Sequence, residues 1–500
     1  MDRRDFLRTV GVGTAGLAAA STVPGSVRAG DAGTGPERPN IVFVFIDDLG
    51  YGDLSLYRTG GPAGPETEHL DRLAREGVRF DQFYAGSPIC SPSRVAVLTG
   101  QYPQRWHIYG HLGKRARNRE RGMAHWLSTD AVVLPRLLKD AGYVTAHYGK
   151  WHLGGQRDVG TAPLPEAYGF DDALVSMEGL GERILEPGGT GLGNRSLGPP
   201  EVIRDVPKHD MTEVWVDRAI AFAREHREQP FYLNLWPRDV HDPFKPSEEE
   251  LARVEAPEGV PNPGQWRRFF AVLNEMDRQL GRFVDALDEM GLGEETMIVV
   301  TGDNGPTAWD RYYEGGKGEG AAPGYTSGLR GRKWSLYEGG IREPFFVRWP
   351  GRVPEGTVNE TTVMTCVDLL PSLASIAGVE LPDGYRSDGV DLSRALLGTS
   401  VPVRARPVFW EYNSLGGNIE PGLERDRSPT LAMRDGSWKV LANADGSDLE
   451  LYDLSGDPEE SDNLAGRAVH RANRMRGRLL RWYHDDLPDP LHGVTKPSRP

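Results

Sequence analysis

The run Asn40-Ile41-Val42-Phe43-Val44-Phe45-Ile46 contains no polar residue after its first position and stops abruptly at Asp47-Asp48. A strand with one wet face alternates polar and apolar residues, whereas an unbroken β-branched and aromatic run suits a strand buried on both faces. Three further segments share this form. Residues 143–148 read as a strand that stops at Gly149-Lys150-Trp151-His152, 231–236 lead into Arg238 to His241, and 297–300 close at Asp303-Asn304-Gly305. Between them the apolar spacing changes from continuous to three and four. Helical spacing occurs near 70–76 and 134–141, and amphipathic helices are predicted over 212–226 and 266–290. The last of these aligns Phe269, Val272, Leu273, Met276, Leu280, Phe283, Val284 and Leu287 on one side.

Strands alternating with helices predict an α/β fold with a mostly parallel sheet covered on both faces. Ligands of such sheets bind beyond the carboxyl ends of the strands. That one edge would collect Asp47, Asp48, Lys150, His152, His241, Asp303 and Asn304. Past Leu397 the pattern breaks into short runs at 408–410, 431–433, 438–441 and 449–452 between Asp/Gly turns, which predicts a small antiparallel sheet. A helix near 469–483 would pack on it. The expected organisation is therefore a large α/β domain at 40–397, a small α+β domain at 398–486 and a loose tail at 487–500. Gly- and Pro-rich stretches at 186–200 and 315–328 read as long loops near the site.

A formal net charge of -14 over 500 residues argues against a general nucleic-acid binder, so attraction of an anionic ligand must be local. The N-terminus, Met1-Asp2-Arg3-Arg4-Asp5-Phe6-Leu7-Arg8, precedes a Gly- and Ala-rich run to Ala20, with Val27-Arg28-Ala29 as a cleavage site. It resembles a twin-arginine signal peptide over 1–29, followed by a linker at 30–39, and a disordered basic start is the alternative. The resemblance implies export after folding through the Tat translocon to the periplasm or beyond. No segment has the length and apolarity of a membrane span.

Asp47, Asp48, Asp303 and Asn304 are all oxygen donors, the set a hard divalent cation selects, with Ca2+ the first choice and Mg2+ the second. Any one such pair is more commonly a turn or cap, but both pairs follow buried strands. Arg94, Lys150 and Lys333 add fixed positive charge, and with a dication they leave about two charges in excess of three carboxylates, which suits a bound anion. Only two cysteines occur, and Cys90 lies in Cys90-Ser91-Pro92-Ser93-Arg94. Ser91 is a plausible N-cap and Pro92 suits a first helical turn, so a helix N-terminus would favour an anion at position 90. A buried structural thiol and a disulfide to Cys366 are the competing readings.

The chain resembles the type I, formylglycine-dependent sulfatase family over nearly its whole mature length. The resemblance rests on Asp47-Asp48-Leu49-Gly50-Tyr51-Gly52-Asp53, the Cys90 pentapeptide, Gly149-Lys150-Trp151-His152-Leu153-Gly154, Val240-His241-Asp242-Pro243, Gly302-Asp303-Asn304-Gly305 and Lys333 ahead of Glu338-Gly339-Gly340. Asp368-Leu369-Leu370-Pro371 and Leu451-Tyr452-Asp453-Leu454 match later. Residues 118–126 and the Gly-rich loop before Lys333 are similar to the arylsulfatase A and N-acetylgalactosamine-6-sulfatase branch. The resemblance implies an alkaline-phosphatase-like fold and sulfate-monoester hydrolysis, with sulfated carbohydrates as substrates. It also implies oxidation of Cys90 to Cα-formylglycine by a formylglycine-generating enzyme. One hydroxyl of the hydrated aldehyde would attack sulfur, and the other would expel sulfate and regenerate the aldehyde.

By the same resemblance Asp47, Asp48, Asp303, Asn304 and residue 90 hold the metal, and Arg94 steadies the diolate. Lys150, Lys333 and His241 bind sulfate, the last two protonating the leaving oxygen, while His152 deprotonates the second hydroxyl. Asp242 between His241 and Pro243 departs from the commoner pattern. Two other functions remain open: a phosphonate monoester or phosphodiester hydrolase with the same nucleophile, and a non-catalytic binder of sulfated glycans. The basic run Lys114, Arg115, Arg117, Arg119 and Arg121 is either a solvated loop or a sugar subsite, with Trp106, Tyr109 and Trp126 as nearby aromatics. His107, His111 and His125 read as structural or loop residues.

Overall fold

The computed structural model describes residues 38–487 except 62, 155–161, 177–182, 186–202, 261 and 309–321. The signal segment, most of the linker, the loop 186–200, the first part of 315–328 and the tail beyond 487 lie outside the described residues.

Eleven strands form the main sheet. They are β1 (Asn40–Ile46), β2 (Val78–Tyr84), β3 (Val144–Lys150), β4 (Asp172–Ser176), β5 (Arg183–Leu185), β6 (Ile203–Asp205), β7 (Phe231–Trp236), β8 (Thr296–Gly302), β9 (Arg342–Arg348), β10 (Thr357–Asn359) and β11 (Met364–Thr365). Their spatial order is β10-β2-β9-β8-β1-β7-β3-β4-β5-β6, and β11 also pairs with β2. The central pairs β8-β1, β1-β7, β7-β3 and β3-β4 are all parallel. β9 runs antiparallel between β2 and β8, and β5 and β6 are antiparallel additions at the other edge. The mostly parallel sheet expected from the sequence is thus present, and its mixed character comes from strands the hydrophobic runs did not reveal.

Helices α1 (Glu68–Arg75), α2 (Cys90–Thr99), α3 (Arg115–Glu120), α4 (Leu134–Asp140), α5 (Met211–Glu225), α6 (Glu248–Ala252) and α7 (Pro263–Glu289) lie among these strands. α8 (Glu338–Ile341), α9 (Leu369–Ile376), α10 (Ser393–Leu396) and α11 (Val469–Arg481) follow. The pleat explains why β1 must be apolar throughout. Ile41, Phe43 and Phe45 join one core layer with Val95 and Leu98 of α2 and Leu373 of α9, whereas Val42, Val44 and Ile46 join the opposite layer with residues of α5 and α7. No helix among the described residues is long and apolar enough to cross a membrane.

β12 (Val408–Glu411), β13 (Leu431–Asp435), β14 (Trp438–Ala442) and β15 (Glu450–Asp453) form a separate antiparallel sheet in sequential order. One face, with Leu431, Met433, Val440 and Leu451, packs against Met475 and Leu479 of α11. The other carries Trp410, Ala432, Leu441 and Tyr452 against Trp334, Leu336 and Tyr337. The small sheet therefore supports the segment that presents Lys333.

Two boundaries differ from the sequence reading in ways that affect the chemistry. The third strand runs on to Lys150 instead of ending at Tyr148, because position 149 is a glycine, which takes φ 125° without strain where a Cβ would meet the Trp236 carbonyl oxygen at 2.1 Å. Helix α2 starts at Cys90 with Ile89 as its cap, not at a Ser91 cap. The Ser91 hydroxyl is engaged elsewhere, accepting the Leu112 N–H at 3.0 Å.

Candidate active site

The carboxyl ends of four adjacent strands supply the groups in spatial order. β8 delivers Asp303 and Asn304, β1 delivers Asp47 and Asp48, the turn after β7 delivers His241, and β3 ends in Lys150. Ile46 is in register with Gly302, and Gly149 with Trp236, so these ends are level. Cys90, in the first turn of α2, enters this rim from the side. Its thiol lies 3.3 Å from Lys150 Nζ, 3.5 Å from Lys333 Nζ and 3.9 Å from Asp48 Oδ1.

Every charge in the cluster has an opposite neighbour. Lys150 Nζ reaches both Asp47 oxygens at 2.8 and 2.7 Å, and Lys333 Nζ reaches both Asp48 oxygens at 2.5 and 2.7 Å. Arg94 is fully buried and donates to Asp303 Oδ2 at 3.1 and 2.7 Å and to the Lys150 carbonyl at 2.8 Å. Its guanidinium also lies 5.1 Å from the Trp236 ring centroid, which helps hold a desolvated cation in one orientation. Asp303 Oδ1 accepts the Asp48 N–H at 3.0 Å, at a residue with φ 60° that turns the chain sharply out of β1. Asn304 donates to Asp48 Oδ1 at 2.9 Å, while its own Oδ1 is buried with no hydrogen-bond partner.

His241 presents Nε2 to Asp48 Oδ2 at 3.7 Å. Its Nδ1 lies 2.5 Å from the Asp242 carbonyl, which assigns the proton of a neutral ring to Nδ1 and leaves the Nε2 lone pair facing the cluster. His152 is buried at φ 54°, and its Nε2 lies 3.3 Å from the Leu112 carbonyl. It is not among the groups within hydrogen-bonding reach of the Cys90 thiol. The rest of the sequence-derived set converges, and Asp47, Asp48, Cys90 and His241 each bring a ligand atom within 4.8 Å of the others.

The electrostatics follow from burial opposed by pairing. Burial alone would raise the Asp47 carboxyl, but Lys150, then His241, Arg94 and Lys333, hold it well below the usual carboxylate range. Burial raises Asp48 and Asp303, against the pull of Lys333 on the first and Arg94 on the second. Burial pushes the Cys90 thiol well up despite the two lysines, so the residue as cysteine is not a thiolate nucleophile. Burial also keeps His241 neutral. Cys90 and Cys366 are both free, which removes the disulfide alternative, and the Cys366 sulfur instead lies 3.8 Å from Ser93 Oγ.

A divalent cation fits these residues. Three buried carboxylates and an unpartnered amide oxygen form an all-oxygen donor set, and the two ammonium groups that cover the carboxylates show how much positive charge they demand.

Three features escaped the sequence reading. Ser176, the last residue of β4 and the register partner of Lys150, has a buried hydroxyl without a hydrogen-bond partner. Its only sequence signal was the short run Ala173-Leu174-Val175 after a glycine turn. Lys208 is buried, and its Nζ gathers the carbonyls of Asp239 at 3.3 Å, Pro243 at 3.0 Å and His241, so one side chain shapes the turn that presents His241. Glu338, already part of the motif after Lys333, has partners the sequence did not show: it is buried in an ion cluster with Lys439 and Glu460.

The sulfatase family profile matches residues 39–379, and a profile described as N-sulphoglucosamine sulphohydrolase, C-terminal, matches residues 331–481. The chain is 30% identical to the N-acetylgalactosamine-6-O-sulfatase of Bacteroides thetaiotaomicron, over 87% of this chain and 91% of that protein. It is 32% identical to arylsulfatase A of Bos taurus, over 93% of this chain and 84% of the relative. A solved structure from a study of the metabolism of multiple glycosaminoglycans by Bacteroides thetaiotaomicron superimposes with a TM-score of 0.72 at 25% identity, covering 90% of this chain and 99% of the other. A solved structure of Ps i-CgsB in complex with k-i-k-neocarrahexaose shares the fold, with a TM-score of 0.71 at 23% identity and coverage of 91% and 95%. With the family profile spanning most of the chain and named sulfatases aligned along nearly all of it, this protein belongs to the sulfatase family.

Proposed function

We propose that the protein is a sulfuric ester hydrolase acting on sulfate monoesters of carbohydrates, with residue 90 as Cα-formylglycine beside a divalent cation, Ca2+ before Mg2+. The observation that carries this reading is the setting of Cys90. It is a buried thiol, its pKa pushed well up by that burial, flanked by two ammonium groups at 3.3 and 3.5 Å and backed by three carboxylates. A cysteine kept as a thiol has no use for such surroundings, whereas an oxygen nucleophile and an anionic ester do. The relative named N-acetylgalactosamine-6-O-sulfatase and the solved structure from a study of glycosaminoglycan metabolism support the carbohydrate class.

Once loaded, the formyl group supplies a hydrated aldehyde as nucleophile, and the cation supplies charge that polarises the sulfate and favours an ionised hydroxyl. Asp47, Asp48, Asp303, Asn304 and residue 90 would hold the cation. The chain's own residues do the rest. Lys150 and Lys333, now bonded to Asp47 and Asp48, would direct N–H donors to the sulfate oxygens and the nucleophile when those carboxylates hold a cation. Arg94, locked by Asp303 and stacked near Trp236, keeps a fixed positive charge under residue 90. Lys333 gives a proton to the departing alkoxide, and His241, whose Nε2 lone pair faces the site, shares that role only after taking up a proton there. His152, beyond hydrogen-bonding reach of the Cys90 thiol, would take the proton of the second hydroxyl once that hydroxyl is turned toward it. Burial of the rim limits water around these charges and strengthens each contact.

Residues 1–29 act as a twin-arginine leader in this reading, so the partners in maturation are a formylglycine-generating enzyme and the Tat translocon, and the product is periplasmic or extracellular. The catalytic α/β domain spans 40–397 and the small α+β domain 398–486. Mass spectrometry of the peptide containing residue 90 tests the central claim, together with sulfate release from aryl and sugar sulfates by wild type and Cys90→Ala. Active enzyme should carry the aldehyde at position 90, and the variant should release no sulfate. An intact thiol in fully active protein overturns the reading, and faster turnover of aryl phosphate or phosphonate esters than of aryl sulfate assigns phosphorus chemistry instead.

A further inference from the structure

Five of the eight residues from 114 to 121 are basic and one is acidic, in a chain whose formal net charge is -14. The segment's position gives that contrast a meaning. Leu112, two residues before Lys114, is pinned at both backbone groups. Its N–H bonds to Ser91 Oγ at 3.0 Å, on the residue next to Cys90, and its carbonyl lies 3.3 Å from His152 Nε2. Two and three residues of chain span at most about 7 and 11 Å, so Lys114 and Arg115 emerge at the rim of the site just described.

The segment is also held in shape. Buried Asn118 closes the turn in both directions, accepting the Gly113 N–H at 2.9 Å and donating to the Gly113 carbonyl at 3.1 Å. Arg121 ties it to the His111 carbonyl at 2.7 Å and to Asn418 Oδ1 at 2.9 Å, and Arg117 reaches the Gly417 carbonyl at 2.7 Å. Those two arginines are therefore structural, and the single acid, Glu120, faces Arg117 at 3.3 Å. Lys114 and Arg119 remain exposed and without an ion partner among the described residues. Arg115 lies one helical turn before Arg119 on the same face of α3, with its guanidinium 5.1 Å from the Trp126 ring centroid. Trp126 in turn bridges to Gly154, two residues past His152.

We propose that Lys114, Arg115 and Arg119, with Trp126 as the wall, form a second anion subsite. It would hold a sulfate or carboxylate on the sugar unit next to the one whose ester is cleaved. The inference rests on the sulfatase reading above and adds to it that the substrate is a polyanionic glycan. A buried inner cluster reads the cleaved ester, and a half-exposed outer cluster reads its neighbour. Because the outer cations are solvated, the recognition is screened by salt.

The test is a selectivity ratio. The value of kcat/KM for sulfated disaccharides is divided by that for an aryl sulfate, in wild type and in the double variant Lys114→Ala/Arg119→Ala. Three disaccharides are used, in which the neighbouring sugar carries a sulfate, a uronate carboxylate or no charge. Two modest ion pairs together correspond to a loss of about fivefold in the ratio for a charged neighbour. Lys114→Arg/Arg119→Lys should restore it, and raising the salt concentration should narrow the gap between wild type and the alanine variant. Loss confined to the sulfated or the uronate substrate identifies the bound group, and loss on both identifies a general anion subsite. An equal loss on the uncharged neighbour, or a ratio within about twofold of wild type on all three, overturns the proposal. If wild type releases sulfate from no ester at all, the sulfatase reading itself has failed.

Discussion

Replacing Lys439 with methionine should destabilise the protein by an amount its surroundings define. Lys439 on β14 is fully buried, and its Nζ lies 2.9 Å from Glu338 Oε1 and 2.9 Å from Glu460 Oε1, with both glutamates also at zero exposure. The other oxygens are engaged as well, Glu338 Oε2 with Tyr84 OH at 2.6 Å and Glu460 Oε2 with the Glu338 N–H at 2.6 Å. Removing the ammonium leaves two carboxylates facing each other out of water, and losing one partner of a buried ion pair costs about 3–5 kcal/mol. Part of this is recoverable by protonation, because burial already pushes Glu460 up to about 7. The loss should therefore be full at pH 8 and smaller at pH 6. Urea unfolding followed by tryptophan fluorescence measures it, since Trp410 and Trp334 lie in the same core cluster. The triple variant Lys439→Met/Glu338→Gln/Glu460→Gln, which buries no charge at these positions, should recover most of the stability. A loss below about 1 kcal/mol for the single variant at pH 8, or a triple variant no more stable than the single one, refutes the assignment of a desolvated ion cluster.

The same glutamate sets a pH dependence. Its folded pKa of about 7 exceeds the ordinary 4.5, so its contribution to stability is complete below 4.5 and is lost as pH rises through 7. Wild type should lose more stability than Glu460→Gln between pH 6 and pH 8, and parallel urea midpoints for the two proteins would contradict this. Calcium should stabilise the mature enzyme by about 2.7 kcal/mol at a hundredfold excess over its dissociation constant, read as a rise in the melting midpoint. Asn304→Ala should blunt that rise, and a midpoint indifferent to both Ca2+ and Mg2+ counts against the cation site. Lys208→Met leaves three carbonyls without their shared donor and should lower kcat by about tenfold or more with a smaller change in KM, because His241 loses its support. Lys208→Arg should recover part of kcat, and an unchanged kcat in the methionine variant rules out the positioning role.

The central strands were legible because a strand buried on both sides must be apolar along its whole length, as 40–46 and 231–236 are, and their abrupt polar ends marked the rim. Strands such as Val78–Tyr84, with Arg79, Asp81 and Gln82 in their sequence, hid because edge and antiparallel strands tolerate polar positions. The carboxylate, lysine and cysteine members of the site could be read from motif context. The groups that position them could not. Lys208 and Lys439 look like ordinary surface lysines in sequence, and only tertiary contact shows that one gathers backbone carbonyls and the other neutralises two buried glutamates. Helix α2 began two residues earlier than a Ser91 cap implies because that hydroxyl is drawn to Leu112, a long-range contact that local propensity does not contain.

Strand neighbours in space are far apart in the chain, and this has a consequence during synthesis. Cys90 and Lys333 are separated by 243 residues, so at about 5–20 residues per second the ribosome delivers the second roughly 12–49 s after the first. Throughout that interval the nascent polypeptide has no closed pocket around residue 90, which in the finished fold is only 2% exposed. Under the proposed reading of residue 90 as formylglycine, the oxidising enzyme has its access then, and a chain released before Lys333 and the supporting C-terminal sheet are made would carry that nucleophile without the charges that would use it.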